Sequence, residues 1–223
     1  MSELFYKMQQ IITNDDSITY YNKQYQETYH SKSGAVEESI KKFVEPAMIK
    51  EKSKKGSIKI LDICFGLGYN SAAVIDEVLK YNKDCSIEIV GLENDISIIE
   101  KIQEVNPKFL SYNFIKSLNQ NNLSIKVDNV SVKLLIGDAR ELITTLKEDF
   151  DIIFLDPFSP KKCPELWTES FFKDIKKLTL RGTILTTYSC AKLVRNNLKT
   201  VGFTVKDGPC VGRRAPSTIA FID

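Results

Sequence analysis

Four carboxylates close four short apolar runs: Asp62, Glu93, Asp138 and Asp156. In an open α/β sheet a ligand sits outside the carboxyl ends of the strands, so acids at four successive strand ends can serve one site. Glu93 follows Asp62 by 31 residues and is spaced to accept from two ribose hydroxyls. In Gly137-Asp138-Ala139 a carboxylate and the Ala139 backbone amide can bracket a purine edge. Asp156 ends the fourth run in Leu155-Asp156-Pro157-Phe158-Ser159-Pro160. Each acid alone is equally at home as a loop or capping residue; the register of four carries the signal. Gly66-Leu67-Gly68 follows Asp62, with Cys64 where a first glycine is expected. Those glycines let backbone pass close to a ligand, although a tight packing turn uses them equally well. No Gly-x-x-x-x-Gly-Lys phosphate cradle is present, so a nucleoside without phosphates fits better than ATP.

The elements that must hold these acids alternate along the chain. Apolar, β-branched runs at 58–64, 87–92, 131–136, 151–155 and 183–188 predict strands. Asn70 is a plausible N-cap for a helix over 71–81 with Ile75, Val78 and Leu79 on one face. Thr168 is placed to cap a helix with Phe171, Phe172, Ile175 and Leu178 inward. A last helix over 191–201 buries Val194, Leu198 and Val201 and stops at Gly202. Two further strands, 203–206 and 217–222, follow with no helix between them, which predicts an antiparallel pair at one edge of a doubly wound parallel sheet. Residues 1–56 are an accessory segment in this division, with a hairpin over 17–25 and helical spacing at Val36, Ile40, Phe43 and Val44; residues 57–223 form the main domain. The charge run from Lys50 to Lys55 is expected to be a solvated connection.

Composition bounds the rest. A chain of 223 residues, 43% hydrophobic and 27% charged, suits one domain of ordinary size. Five widely spaced cysteines with no Cys-x-x-Cys, and a single histidine, His30, argue against a disulfide framework, a metal centre and a serine triad. No apolar run approaches a bilayer span, and Met1 to Leu4 lack a signal-peptide pattern, so a cytoplasmic protein without a membrane is expected. The net charge of +2 excludes a basic coat but hides an asymmetry: residues 157–216 carry +8 and the remainder −6. Lys161-Lys162 and Arg213-Arg214 lie on predicted loops near the acids, where they can contact phosphates.

Together these residues resemble the class I S-adenosylmethionine-dependent methyltransferases. More narrowly, Leu61 to Asn70, the Phe154 to Trp167 stretch and Gly182-Thr183 leading to Tyr188-Ser189 resemble the methyltransferase domain of MnmC-type tRNA-modifying proteins. Glu27 to Ala35 and Gly212 to Thr218 are similar to stand-alone members of that family. The resemblance implies an α/β, Rossmann-like class I methyltransferase fold, with a seven-stranded, mostly parallel sheet whose last strand is antiparallel. It makes a cysteine at position 64 expected. The cofactor it implies is S-adenosylmethionine, released as S-adenosylhomocysteine, held by Asp62, Gly66, Leu67, Gly68, Tyr69, Asn70, Glu93, Asn94, Asp138 and Ala139. Asp156 is the implied catalytic residue. His30, Ser31, Lys32, Pro157, Phe158, Tyr188, Arg213 and Arg214 are the implied substrate contacts. Two-enzyme members carry a fused flavin-dependent oxidase, whereas this chain ends at Asp223, so FAD is not expected and only the transfer step is. That step makes 5-methylaminomethyl from 5-aminomethyl on the wobble uridine, often 2-thiolated, with the tRNA anticodon region as partner. Pro157 stands where many members have glycine.

Other readings of the same residues stay open. Phe158, Tyr188 and Tyr69 serve either core packing or base stacking, and His30 either a structural hydrogen bond or a lid contact. Cys64 is expected to be a small buried residue rather than a nucleophile, because uridine C5 is not methylated. A class I methyltransferase acting on a small-molecule amine, or an RNA-binding module with the fold but no transfer, uses the same framework. An NAD dehydrogenase fits less well, since Gly66-Leu67-Gly68 lacks a third glycine.

Overall fold

The β-branched runs assemble into one mixed sheet with a smaller one beside it; the structure, a computed structural model, describes residues 8–223, so the Met1 to Leu4 pattern lies outside it. The strands are β1 (Gln9–Ile12), β2 (Ile18–Asn22), β3 (Glu27–Thr28), β4 (Ser57–Ile63), β5 (Ser86–Glu93), β6 (Ser124–Val127), β7 (Val130–Ile136), β8 (Phe150–Leu155), β9 (Thr179–Thr187), β10 (Thr204–Asp207) and β11 (Thr218–Phe221). The large sheet has the order β10-β11-β9-β8-β4-β5-β7-β6, and β1-β2-β3 form a separate antiparallel sheet. Strand β4 pairs in parallel with both β5 and β8, so strand order reverses there, the position where α/β sheets open a ligand crevice. Its Ile58, Ile60, Leu61 and Ile63 are all buried, the near-continuous apolar run of a strand covered on both faces.

The helices are α1 (Ala35–Glu38), α2 (Ile49–Ser53), α3 (Tyr69–Tyr81), α4 (Ile98–Glu104), α5 (Tyr112–Ile115), α6 (Ala139–Thr145), α7 (Glu169–Lys176) and α8 (Lys192–Thr200). One core gathers Ile60, Val74, Ile75, Ile98 and Phe154 on one face of the sheet; the other gathers Leu61, Ile63, Phe172, Val194 and Leu198. Thr168 caps α7 by accepting from the Phe171 amide, as its position predicts. Helix α8 is closed by Val201 and then Gly202, whose φ of 97° few other residues tolerate.

Three local expectations need revision. The sheet has eight strands, not seven: β6 pairs with β7 across a turn at Asp128 and Asn129. Only Ile125 of its four residues is buried, so an edge strand this short gives almost no alternation to read. The closing pair is as expected, with β11 antiparallel to both β9 and β10. Asn70 does not cap α3; the N-cap is Gly68 at φ 71°, and Asn70 lies inside the first turn with its amide turned elsewhere. The charge run is not simply solvated, because Lys52 and Ser53 in α2 are buried and Lys52 Nζ donates to the Gly182 carbonyl at 2.8 Å. Packing against β9 sets that placement, and a charge pattern carries no trace of it.

In the accessory region α1 continues into a π-helical stretch, Ser39–Val44, and a 3-10 turn, Glu45–Ala47. Phe43 and Val44 face the core as their spacing predicts, and the Phe43 carbonyl accepts from Thr186 Oγ1 of β9.

Candidate functional site

The carboxyl ends of β4, β5, β7 and β8 open into one cavity of about 780 Å³. That volume falls in the roughly 300–1,000 Å³ range of small-ligand sites. Residues of the β2–β3 hairpin, among them Tyr21, Tyr25 and Glu27, also line it.

Glu93 reaches the cavity from the end of β5. Its Oε2 accepts from the Gly66 amide at 2.9 Å, and its Oε1 from the Asn94 and Asp95 amides, both at 2.9 Å. Burial pushes its pKa upward and these three donors pull it back. A carboxylate offers about four lone-pair positions, so one remains for a ligand hydroxyl. Gly66, at φ 54°, brings bare backbone to the cavity, and a Cβ there would stand 3.3 Å from the Tyr29 ring. Asp138 caps α6 by accepting from Arg140 N at 2.8 Å and is ion-paired with the Arg140 guanidinium, which holds its pKa low. Ala139 and Asn94 also line the cavity.

Asp156 lies at the end of β8 and lines the same space. Its Oδ2 accepts from Asn70 Nδ2 at 3.0 Å. Burial first, then the nearby Glu38 carboxylate, raise its pKa well above the usual carboxylate range, against the Asn70 hydrogen bond. Pro157 and Phe158 follow it; the Pro157 carbonyl accepts from the Tyr188 hydroxyl at 2.8 Å. The Phe158 ring stacks on Tyr25 with centroids 4.5 Å apart and meets Tyr29 edge-on at 5.2 Å.

Of the other candidates, His30, Ser31, Lys32, Tyr188 and Arg213 line the cavity. His30 is buried, pairs through Nδ1 with Thr19 Oγ1 at 3.1 Å and stacks on Tyr69 at 4.9 Å. Burial lowers its pKa to about 4, despite Glu38 and Asp15. Arg213 donates to the Tyr188 carbonyl. Asp62, Leu67, Gly68, Tyr69 and Asn70 lie behind the cavity rather than on its surface, and Arg214 lies outside it. Asp62 is fully buried, with Oδ2 accepting from Ser71 Oγ at 2.6 Å and Oδ1 unpartnered; burial raises its pKa to about 7. It ties β4 to the first turn of α3. Tyr69 is core, its hydroxyl donating to the Ile18 carbonyl.

Several lining residues escape sequence reasoning. Glu38 and Lys42 form a buried ion pair of 2.6 Å at the cavity wall. Their i, i+4 spacing is visible in the sequence, but charges on an amphipathic helix are normally solvated. Glu27 accepts from the Ser159 amide at 2.8 Å and from its hydroxyl, and Lys162 Nζ donates to Gln26 Oε1 at 2.9 Å. These bonds fasten the hairpin to the loop after Asp156, across separations that no local motif encodes.

A reversing parallel sheet, an antiparallel strand between the last two parallel ones and acids at the strand ends define the class I methyltransferase architecture. The model of a family described as S-adenosyl-L-methionine-dependent methyltransferase matches residues 100–223, and the chain belongs to that family. A crystal structure of MnmC2 from Aquifex aeolicus superposes with a TM-score of 0.88 at 34% identity, over 97% of this chain and 70% of that one. An uncharacterized Methanocaldococcus jannaschii protein is 32% identical over 94% of this chain and 58% of its own length. The tRNA 5-methylaminomethyl-2-thiouridine biosynthesis bifunctional protein MnmC of Leptospira interrogans is 25% identical over 92% of this chain. The chain spans 34% of that longer protein. Among the described residues, no helix is long and apolar enough to cross a membrane.

The residues present suit the cofactor that gives the family its name. Glu93 retains acceptor capacity for a hydroxyl, Gly66 offers bare backbone, and Asp138 and Ala139 line the same cavity, the kinds of group a nucleoside requires.

Proposed function

We propose that this protein methylates the exocyclic amine of 5-aminomethyl-(2-thio)uridine at the tRNA wobble position, giving 5-methylaminomethyl-(2-thio)uridine. Residues 57–223 would be the methyltransferase domain and residues 1–56 an accessory segment that walls its cavity. Glu93, Gly66, Asn94, Asp138 and Ala139 would hold S-adenosylmethionine, which supplies an electrophilic methyl group. The observation that carries the proposal is Asp156, a carboxylate at the cavity wall held by Asn70, with the Tyr188 ring beside it. The similarity to MnmC proteins supports the choice of substrate.

The substrate amine arrives as an ammonium and is not nucleophilic until it loses a proton. Asp156 orients that ammonium and takes the proton: an N–H bond breaks, an O–H bond forms on the carboxylate, and the pair stays on nitrogen. A carboxylate with a raised pKa is a better acceptor than an ordinary aspartate, because the proton it gains is held more firmly. Holding amine and methyl donor together accounts for much of the acceleration. The base must leave the anticodon stack to enter. Tyr188 borders the space it would occupy, whereas Phe158 is already stacked on Tyr25. Cytoplasm, where tRNA is modified, is the compartment this function implies.

Two measurements test the proposal. Calorimetry with S-adenosylmethionine is expected to show binding; no binding would favour an RNA-binding module. Bulk tRNA from cells lacking the gene is expected to accumulate 5-aminomethyluridine, and an unchanged nucleoside profile would contradict the assignment.

A further inference from the structure

One charged cluster in the cavity has no role in the scheme above. Lys42, in the π-helical stretch, is 3% exposed, yet it lines the cavity, and its ammonium donates to Glu38 Oε1 at 2.6 Å. Glu38 Oε2 accepts from the Ser31 amide at 2.7 Å, so the carboxylate is clamped between the helical segment and the His30-Ser31-Lys32 loop. A buried ion pair is weak as a source of stability, since desolvation offsets most of the attraction. A π-helical distortion inside a helix is likewise common at functional positions.

Glu38, Lys42 and Asp156 line the same cavity. The groups facing Asp156 are Glu38 and Lys42 from the helical segment, Asp62 in β4, Cys64 just beyond it, Asn70 in α3 and Tyr188 beyond β9. His30 in turn faces both Glu38 and Asp15. Among those facing Asp156, Lys42 is the cation and Glu38 and Asp62 are the other carboxyl groups.

We propose that Lys42, paired with Glu38, is a positioning residue for methyl transfer: its ammonium is the counter-charge that lets a second carboxylate stand beside Asp156 in one cavity. The proposal rests on the reading of Asp156 as proton acceptor. Without Lys42, two carboxyl groups face each other uncompensated and one of them holds a proton at higher pH. Without the Glu38 charge, the Lys42 ammonium faces Asp156 alone and favours its ionised form. The two substitutions therefore act with opposite sign, which a packing role does not produce.

The test is the pH profile of single-turnover methylation by the full chain, on tRNA carrying 5-aminomethyluridine, beside an infrared titration of carboxyl groups in the ligand-free protein. Lys42→Met is expected to move the acid limb upward by about one pH unit, roughly a tenfold lower rate below the limb with recovery above it. Lys42→Arg is expected to return the limb to the wild-type position. Glu38→Gln, which keeps an acceptor for the Ser31 amide, is expected to move it downward and serves alone if Lys42→Met does not fold. The infrared midpoint is expected to move in the same directions. A limb and midpoint unmoved in Glu38→Gln, or moved alike in both variants, would overturn the proposal while Asp156→Ala is inactive. Asp156→Ala with wild-type rate would instead overturn the acceptor reading, and this proposal with it.

Discussion

At the scale of single residues, access to the cavity separates the strand-end acids. Asp156 and Asp62 both close apolar strands, but only Asp156 reaches the cavity, and Asp62 spends its carboxylate on Ser71. Asp156→Ala is expected to lower the methylation rate by about 10²–10⁴-fold, the usual contribution of a positioned proton acceptor. Circular dichroism should show the fold unchanged, and a near-wild-type rate would show that the residue merely caps its loop. His30 gives a pH test of stability. The unfolded chain takes up a proton near the ordinary value of 6.5, whereas the folded ring refuses it until about 4. The His30 contribution to stability is therefore fully present above pH 6.5 and is lost as the pH drops toward 4, by on the order of 3 kcal/mol. His30→Phe keeps a ring against Tyr69 and is expected to lose most of this dependence, read as the difference between the two proteins' denaturation midpoints at pH 7 and 4.5.

At the scale of elements, the accessory segment and the loop after β8 form one wall. The Glu27–Ser159 and Gln26–Lys162 bonds and the Tyr25–Phe158 stack join parts of the chain that are more than 130 residues apart. Glu27→Ala is expected to speed hydrogen exchange in both β2–β3 and residues 157–163, and to raise the KM for tRNA more than it lowers kcat. Faster exchange in the hairpin alone would mean that the loop holds its shape unaided. The same elements mark the limits of sequence reading. Strands β4, β5, β7, β8 and β9 are legible because a doubly covered strand is an apolar run bounded by turn residues, and Thr168 and Gly202 have the side chain and the backbone freedom their caps require. Strand β6 is not, with one buried residue in four. Nor are the contacts of Asn70 and Glu27, since each depends on a partner brought near only by the completed sheet, nor the burial of the local Lys42–Glu38 pair, which the packing around it decides. The acids at strand ends can be found because topology fixes their position without knowledge of any neighbour.

At the scale of the whole molecule, the basic excess of residues 157–216 is partly structural. Arg195 pairs with Asp207, Lys177 with Asp174, and Lys176 donates to the Val201 carbonyl. Lys161, Lys162, Arg213 and Arg214 are exposed, and Arg213 stands at the cavity itself. Reversing these four charges is expected to weaken tRNA binding and flatten its dependence on salt, by roughly 0.7–0.9 in log–log slope for each phosphate no longer neutralised. Affinity for S-adenosylmethionine should not change, and filter binding with calorimetry separates the two; equal losses of both would place the four residues in the fold rather than at an RNA surface. The substrate is the central question at this scale. Purified protein, labelled S-adenosylmethionine and tRNA carrying 5-aminomethyluridine should yield label in 5-methylaminomethyluridine after nucleoside digestion, with none in tRNA that lacks the aminomethyl group. Cofactor binding without label at that nucleoside, or label transferred to a free small-molecule amine instead, would contradict the assignment.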